Sequence, residues 1–193
     1  MAADAPREPG TEEFVIVIMK TKLPQLLLAV LLGLASGLAL QAAPAAKSEP
    51  RADVIFFERE KFTDVRDSYM ETPKGRDAIL AQIKDYIVDR AKWYVPEGSK
   101  LTVTINDIDL AGDFEPERGV RFQDIRMMRE IYPPRIKLAY KLVDSSGNEV
   151  QHGTRELTDL SYLQNLQFNP NDNLRFEKQL LDDWMRKDFK RVK

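Results

Sequence analysis

The sequence predicts an α+β domain: a mostly antiparallel sheet of about four strands with two amphipathic helices packed on one face. Three observations predict it. Ile79, Ile83, Ile87 and Ala91 recur at every fourth residue, as do Phe176, Leu180 and Trp184, and this spacing makes one apolar helix face. Ile136, Leu138, Tyr140 and Leu142 alternate with Arg135, Lys137, Ala139 and Lys141, the period of a half-buried strand. The order of the signals is strand, helix, strand, a mixed segment, hairpin, helix. That order lacks the regular strand–helix alternation of a parallel sheet.

The elements follow in chain order. "ADVIFFE" (52–58) is short, β-branched and aromatic, and reads as a strand buried on both faces. A polar loop leads to Thr72, which can cap a helix with Pro73 at its first position. Leu80 and Tyr94 flank the apolar stripe of that helix, and Pro96 and Gly98 stop it. The next strand starts at Leu101, with Leu101, Val103 and Ile105 on one face. The phase then slips, because the following apolar residues are Ile108 and Leu110. One extra residue near Asn106 and Asp107, a β-bulge, restores the pattern; the alternative is a second buried face.

In the segment 111–133, "DIRMMREI" fits a short strand or a helical turn, and "YPPR" cannot be helix interior. From Arg135 a strand runs to Leu142, and "SSG" (145–147) suits a three-residue hairpin loop with Gly147 left-handed. This register sets Val150 opposite Leu142, Gln151 opposite Lys141 and His152 opposite Tyr140. Glu156 then falls opposite Ile136, which is a poor match, so a second bulge at Gly153 is expected to turn Leu157 inward. After "NPNDN", Phe176, Leu180 and Trp184, with Leu181 and Met185, mark a C-terminal amphipathic helix.

The amino end points to export. Leu26–Leu40 holds fifteen residues without a charge, preceded by Lys20 and Lys22 and followed by "QAAPAAKSEP". A basic start, an apolar core and a small-residue exit make a signal peptide over 19–45, cleaved after Ala45 or after Ala42. The apolar run falls short of the ~20 residues of a membrane span, and an uncleaved inner-membrane anchor is the alternative. Residues 1–18 hold Asp4, Glu8, Glu12 and Glu13 against Arg7. Acid ahead of the apolar run opposes the positive-inside orientation, so translation is expected to start at Met19.

Residues 46–193 form a single expected domain of 148 residues with 26 Lys and Arg against 27 Asp and Glu. That balance gives no basic excess for nucleic acid. The absence of cysteine excludes disulfides, thiolate catalysis and cysteine-rich zinc sites.

Asp107 and Asp109 stand just before Gly112 and raise the question of chemistry. A calcium loop begun at Asp107 has Ala111 where a third ligand is needed and Arg118 where a glutamate is needed. Two close carboxylates could instead split their pKa values for acid–base work. The reading adopted is structural: aspartates at a bulge bond nearby backbone N–H groups. His152, the sole histidine, is expected beside Tyr140 at the core edge. No glycine-flanked serine elbow and no phosphate-cradling glycine loop is present. Met127, Met128, Trp93 and Trp184 read as packing residues. No metal and no cofactor is expected, and the balance leans away from an enzyme. Arg135, Lys137 and Lys141 form a basic stripe on the sheet face away from the helices. It is either a solvated face or a surface for an anionic envelope component or an acidic protein patch.

Four stretches, "FTDVRDS" (62–68), "NDIDLAGDFEP" (106–116), "DIRMMREIYPPRIKLAYKL" (124–142) and "LTDLSYL" (157–163), resemble in this order an exported bacterial family of uncharacterised proteins, domain of unknown function 3016. The resemblance spans nearly all of 46–193 and implies a periplasmic or secreted Gram-negative protein. It implies no activity. The expected function is that of a non-catalytic envelope domain that binds a partner or ligand. The alternatives are a hydrolase-type enzyme using Asp107 and Asp109 and a membrane-anchored subunit.

Overall fold

The computed structural model describes residues 49–165 and 169–192. The expected extension, signal peptide and cleavage sites lie outside the described residues. So does the choice between a cleaved signal and an anchor.

Among the described residues the strands are β1 (Ala52–Phe56), β2 (Lys100–Asp109), β3 (Asp113–Phe114), β4 (Arg126–Met127), β5 (Arg135–Val143) and β6 (Glu149–Thr158). The α-helices are α1 (Pro73–Tyr94) and α2 (Arg175–Asp188). The main sheet has the order β1-β2-β5-β6, and β3 pairs with β4 in a small separate ribbon. β1 runs parallel to β2, while the β2–β5 and β5–β6 pairs are antiparallel. The fold is α+β with a mostly antiparallel sheet. The parallel pair arises because α1 carries the chain back over the sheet before β2 begins.

α1 begins where its capping chemistry lies. The Thr72 hydroxyl accepts from Gly75 N–H at 3.0 Å, and Pro73 occupies the first turn. Its buried stripe of Ile79, Leu80, Ile83, Ile87 and Ala91 meets the inner sheet face of Leu101, Val103, Ile105, Ile136, Leu138, Tyr140 and Leu142. α2 adds Leu181, Trp184 and Met185 to the same core. Phe189, just past its end, makes edge contacts with Tyr140 and Trp184 at ring centroid distances of 5.3 and 5.7 Å. Trp184 is thus a core residue. Trp93 is half exposed under the Arg191 guanidinium, 5.0 Å from its ring centroid.

Three strand expectations meet different outcomes. The bulge in β2 lies between Ile105 and Asp107 and brings Ile108 back to the inner face opposite Ile136. β1 is not buried on both faces. Ala52 and Val54 point inward, whereas Ile55 and Phe57 are 51% and 56% exposed on the outer side. Among the described residues no second layer covers that side, so the unbroken apolar run misled. The hairpin register also differs by one residue. A bulge in β6, where the register shifts between Leu142 and Val143 and Val143 meets Glu149, sets Leu142 opposite Gln151 and Tyr140 opposite Gly153. Val150 is the extra residue, and no bulge is needed at Gly153. Leu157 falls opposite Ile136 without one. His152 therefore lies on the outer face, opposite Lys141, exposed and 2.6 Å from a Glu149 carboxylate oxygen. It is not a core-edge residue beside Tyr140.

Candidate functional site

The segment 62–66 returns to the sheet as a short parallel continuation of the β1 edge. Asp64 N–H donates to Ile108 O at 2.9 Å, and Leu110 N–H donates to Asp64 O at 3.1 Å. This buries the Asp64 carboxylate, 6% exposed, beside the turn that follows β2. Arg126 of β4 reaches it with both terminal nitrogens, at 2.8 and 3.2 Å, and also donates to Gly112 O at 2.9 Å and Arg66 O at 2.8 Å. Arg66 contacts Asp64 at 3.0 Å through Nε and Asp113 at 2.8 Å through Nη2. Both guanidinium groups lie over Phe114, 4.6 and 5.5 Å from its ring centroid, a distance at which ring and cation attract. Burial pushes the Asp64 carboxyl up, but hydrogen bonds from Arg126 and then Arg66 more than reverse it and hold it below its ordinary value.

A second ionic cluster adjoins the knot. Buried Glu115 pairs with Arg118 and with Arg129 at 3.0 Å, and it accepts from the Tyr132 hydroxyl at 3.3 Å. Gly112 has φ +75°, and a Cβ there would lie 2.8 Å from Met127 O, so only glycine fits this turn. Tyr162 donates its hydroxyl to Arg129 O at 2.8 Å and packs edge-on against Phe176. The four stretches singled out by resemblance thus meet in one place, tied largely by arginine.

Beneath them lies Glu177 of α2, 1% exposed. One carboxylate oxygen accepts from Ala111 N–H at 2.7 Å, and the other has no hydrogen-bond partner. Burial pushes this carboxyl from 4.5 up to about 7, against the opposing pull of the Ala111 N–H and of Arg126 and Arg175.

A cleft of ≈ 490 Å³ opens between the start of α1, the turn after β2, the 124–128 segment and the start of α2. Ile79, Leu110, Phe114 and Met128 supply apolar wall, while Arg66, Arg126 and Arg175 bring guanidinium groups to it. Arg66 and Arg126 are engaged by aspartates. Arg175 stacks on Phe176 at 4.4 Å and donates to Asp172 O at 3.1 Å.

Asp107 and Asp109 lie elsewhere, on the outer face of β2. Asp107 accepts from Thr63 N–H at 2.8 Å and Thr63 Oγ1 at 3.0 Å, and lies 3.6 Å from Lys137 Nζ. Asp109 is opposite Arg135. Its carboxyl is pushed up by burial and next by Asp64. Neither aspartate lines the cleft. Replacing Asp107 with asparagine is expected to cost at most ~1–2 kcal/mol in denaturant unfolding, the scale of a local backbone bond. Calcium or zinc is expected to leave the melting temperature unchanged. A rise of several degrees that Asp107→Asn abolishes would contradict the structural role. The stripe of Arg135, Lys137 and Lys141 alternates with carboxylates, since Lys141 lies 3.0 Å from Glu149.

Sequence reasoning missed Asp64, Arg66, Arg126, Arg175 and Glu177 as site residues. Asp64 and Arg66 stand two apart in "FTDVRDS", and Arg126 sits in "DIRMM". Those signals were present but ambiguous, because exposed ion pairs produce the same local pattern. No metal-binding cluster of His, Asp or Glu occurs among the described residues, and no helix among them is long and apolar enough to cross a membrane.

No curated protein and no solved structure matches the chain. The family model described as protein of unknown function (DUF3016) matches residues 51–187, which include α1, all of α2 but its last residue, strands β1 to β6 and the arginine-bound turn. The chain belongs to the DUF3016 family of uncharacterised proteins.

Proposed function

We propose that this is an exported, periplasmic, non-catalytic binding domain of the cell envelope, and that its ligand or partner group enters the cleft above Phe114. The cleft carries the reading. Its volume of ≈ 490 Å³ lies in the range of small-ligand sites, and apolar wall stands beside a few fixed polar groups. Arg66 and Arg126 are held rigidly by Asp64 and Asp113, so the polar rim is preorganised. The cleft is favoured over the basic stripe because the stripe's cations already face carboxylates. It is favoured over hydrolysis by Asp107 and Asp109 because both face away from it. The apolar run behind Lys20 and Lys22 supports export.

Ala78 is exposed on α1 and lines the cleft, so Ala78→Trp should fill the space without touching the core. Native mass spectrometry of the chain isolated from periplasm should show a bound species that Ala78→Trp loses at an unchanged melting temperature. Equal loads on both proteins would remove the cleft from consideration. Cell fractionation with N-terminal sequencing should find the chain in the periplasm beginning after Ala42 or Ala45. A full-length chain in the cytoplasm would refute export.

A further inference from the structure

Among the described residues β6 is an edge strand of the main sheet, and the bonding at the β1 edge fixes which of its main-chain groups face outward. Leu101 N–H donates to Arg51 O, and Phe57 N–H donates to Ile105 O, both at 2.9 Å. The odd-numbered residues of β2 up to Ile105 therefore turn their main-chain groups toward β1. Thr102 and Thr104 turn theirs toward Lys141 and Ala139 of β5. By the alternation of an antiparallel pair, Leu138, Tyr140 and Leu142 then bond β6 through Arg155, Gly153 and Gln151. The N–H and C=O groups of His152, Thr154 and Glu156 are left facing away from the sheet. The Thr154 carbonyl accepts from Arg155 Nη1 at 2.7 Å. No main-chain bond to another element meets these three residues among the described ones.

Beside this edge, between β6 and α2, runs a groove of ≈ 410 Å³. Leu157, Leu180 and Trp184 are its apolar lining. Arg155 and Asp188 neutralise each other at 2.9 Å. Asp183 is likewise paired with Arg186, so Glu156 and Asp159 stand against Lys187, an excess of one acidic charge.

We propose that this groove takes an extended segment of a partner protein, added to β6 as a fifth strand, with an apolar side chain against Leu157 and basic residues on either side. Outward amide groups repeating at every second residue, ~7 Å apart, match an extended backbone and little else. The acidic rim selects the basic flanks. A second copy presenting its own β6 would set acidic rim against acidic rim. This surface is separate from the cleft above Phe114, so either can fail without the other.

The test is selection of a phage-displayed library of random twelve-residue peptides against the whole purified chain, followed by amide exchange with the enriched peptide. Apolar peptides with flanking Lys or Arg should be enriched and should protect the amides of His152, Thr154 and Glu156. Thr154→Pro, which removes an outward N–H, should weaken binding by about tenfold or more, and Thr154→Val should not. The double reversal Glu156→Lys with Asp159→Lys leaves the outward amides of His152 and Thr154 in place and should weaken binding similarly, which keeps a second readout if Thr154→Pro misfolds. Three results would overturn it: no enrichment, protection at another element, or protection of the same amides by self-association of the chain alone.

Discussion

Replacing Arg126 with methionine should cost about 3–5 kcal/mol of folding stability, the range for removing one partner of a buried ion pair. The four acceptor contacts of its guanidinium are the reason. Two are to Asp64, and the others are to the carbonyls of Gly112 and Arg66. Without Arg126, the Asp64 carboxylate keeps only Arg66 as a charged partner, and two partly enclosed carbonyls lose a donor. Urea unfolding of Arg126→Met, Asp64→Leu and the double variant would measure the coupling. The double variant should be much less unstable than the sum of the single ones, because it removes the buried charge along with its partner. Additive costs, or a cost below about 1 kcal/mol for Arg126→Met, would mean that the knot is a surface decoration.

Stability should also fall by about 3 kcal/mol from acid to alkaline conditions through Glu177, since each tenfold gain in proton affinity on folding is worth about 1.4 kcal/mol. The carboxyl rises from 4.5 to about 7 on folding, so the folded state holds the proton more tightly than the unfolded chain. That stabilisation is fully present below 4.5 and is lost as pH rises through about 7. Arg126 of β4 and Arg175 of α2 oppose the rise, and Tyr162 packs nearby. Asp64 acts in the reverse sense: its carboxyl is held below 3.8, so its contribution disappears only on acidification below that value. Chemical denaturation across this range should show the decline in the wild type and a much smaller one in Glu177→Gln, where Asp109, whose carboxyl is also pushed up, leaves a residual slope. Parallel slopes in the two proteins would assign the decline to another group.

The parts of the fold visible in the sequence are those in which one residue's neighbours along the chain decide its environment. Thr72 and Pro73 fix the start of α1, the four-residue repeat fixes its buried face, and the phase slip from Ile105 to Ile108 marks the bulge. The hairpin shows where this runs out. Pairing Val150 with Leu142 keeps two apolar residues together, which is the sensible local choice. The structure places Val150 in a bulge instead, because Gly153 fits against the Tyr140 ring and Leu157 against Ile136. Asp64 and Glu177 were harder still. Their burial depends on Arg126 and Ala111, 62 and 66 residues away, and charged residues read locally as surface. The candidate site was legible only as a set of stretches that belong together, without the contact that joins them.

The bond between Glu177 and Ala111 has a bearing on how the chain acquires its structure over time. A contact across that separation is non-local, and its closure entropy must be met before the contact stabilises the fold, which slows folding. Leu181, Trp184, Met185 and Phe189, which close the core over Tyr140, come in the last stretch of the polypeptide. A chain emerging amino end first can therefore form α1 and the β5–β6 hairpin early, yet its sheet keeps an open apolar face until residue 189 is free. Commitment to the native state then waits on residues 181–189.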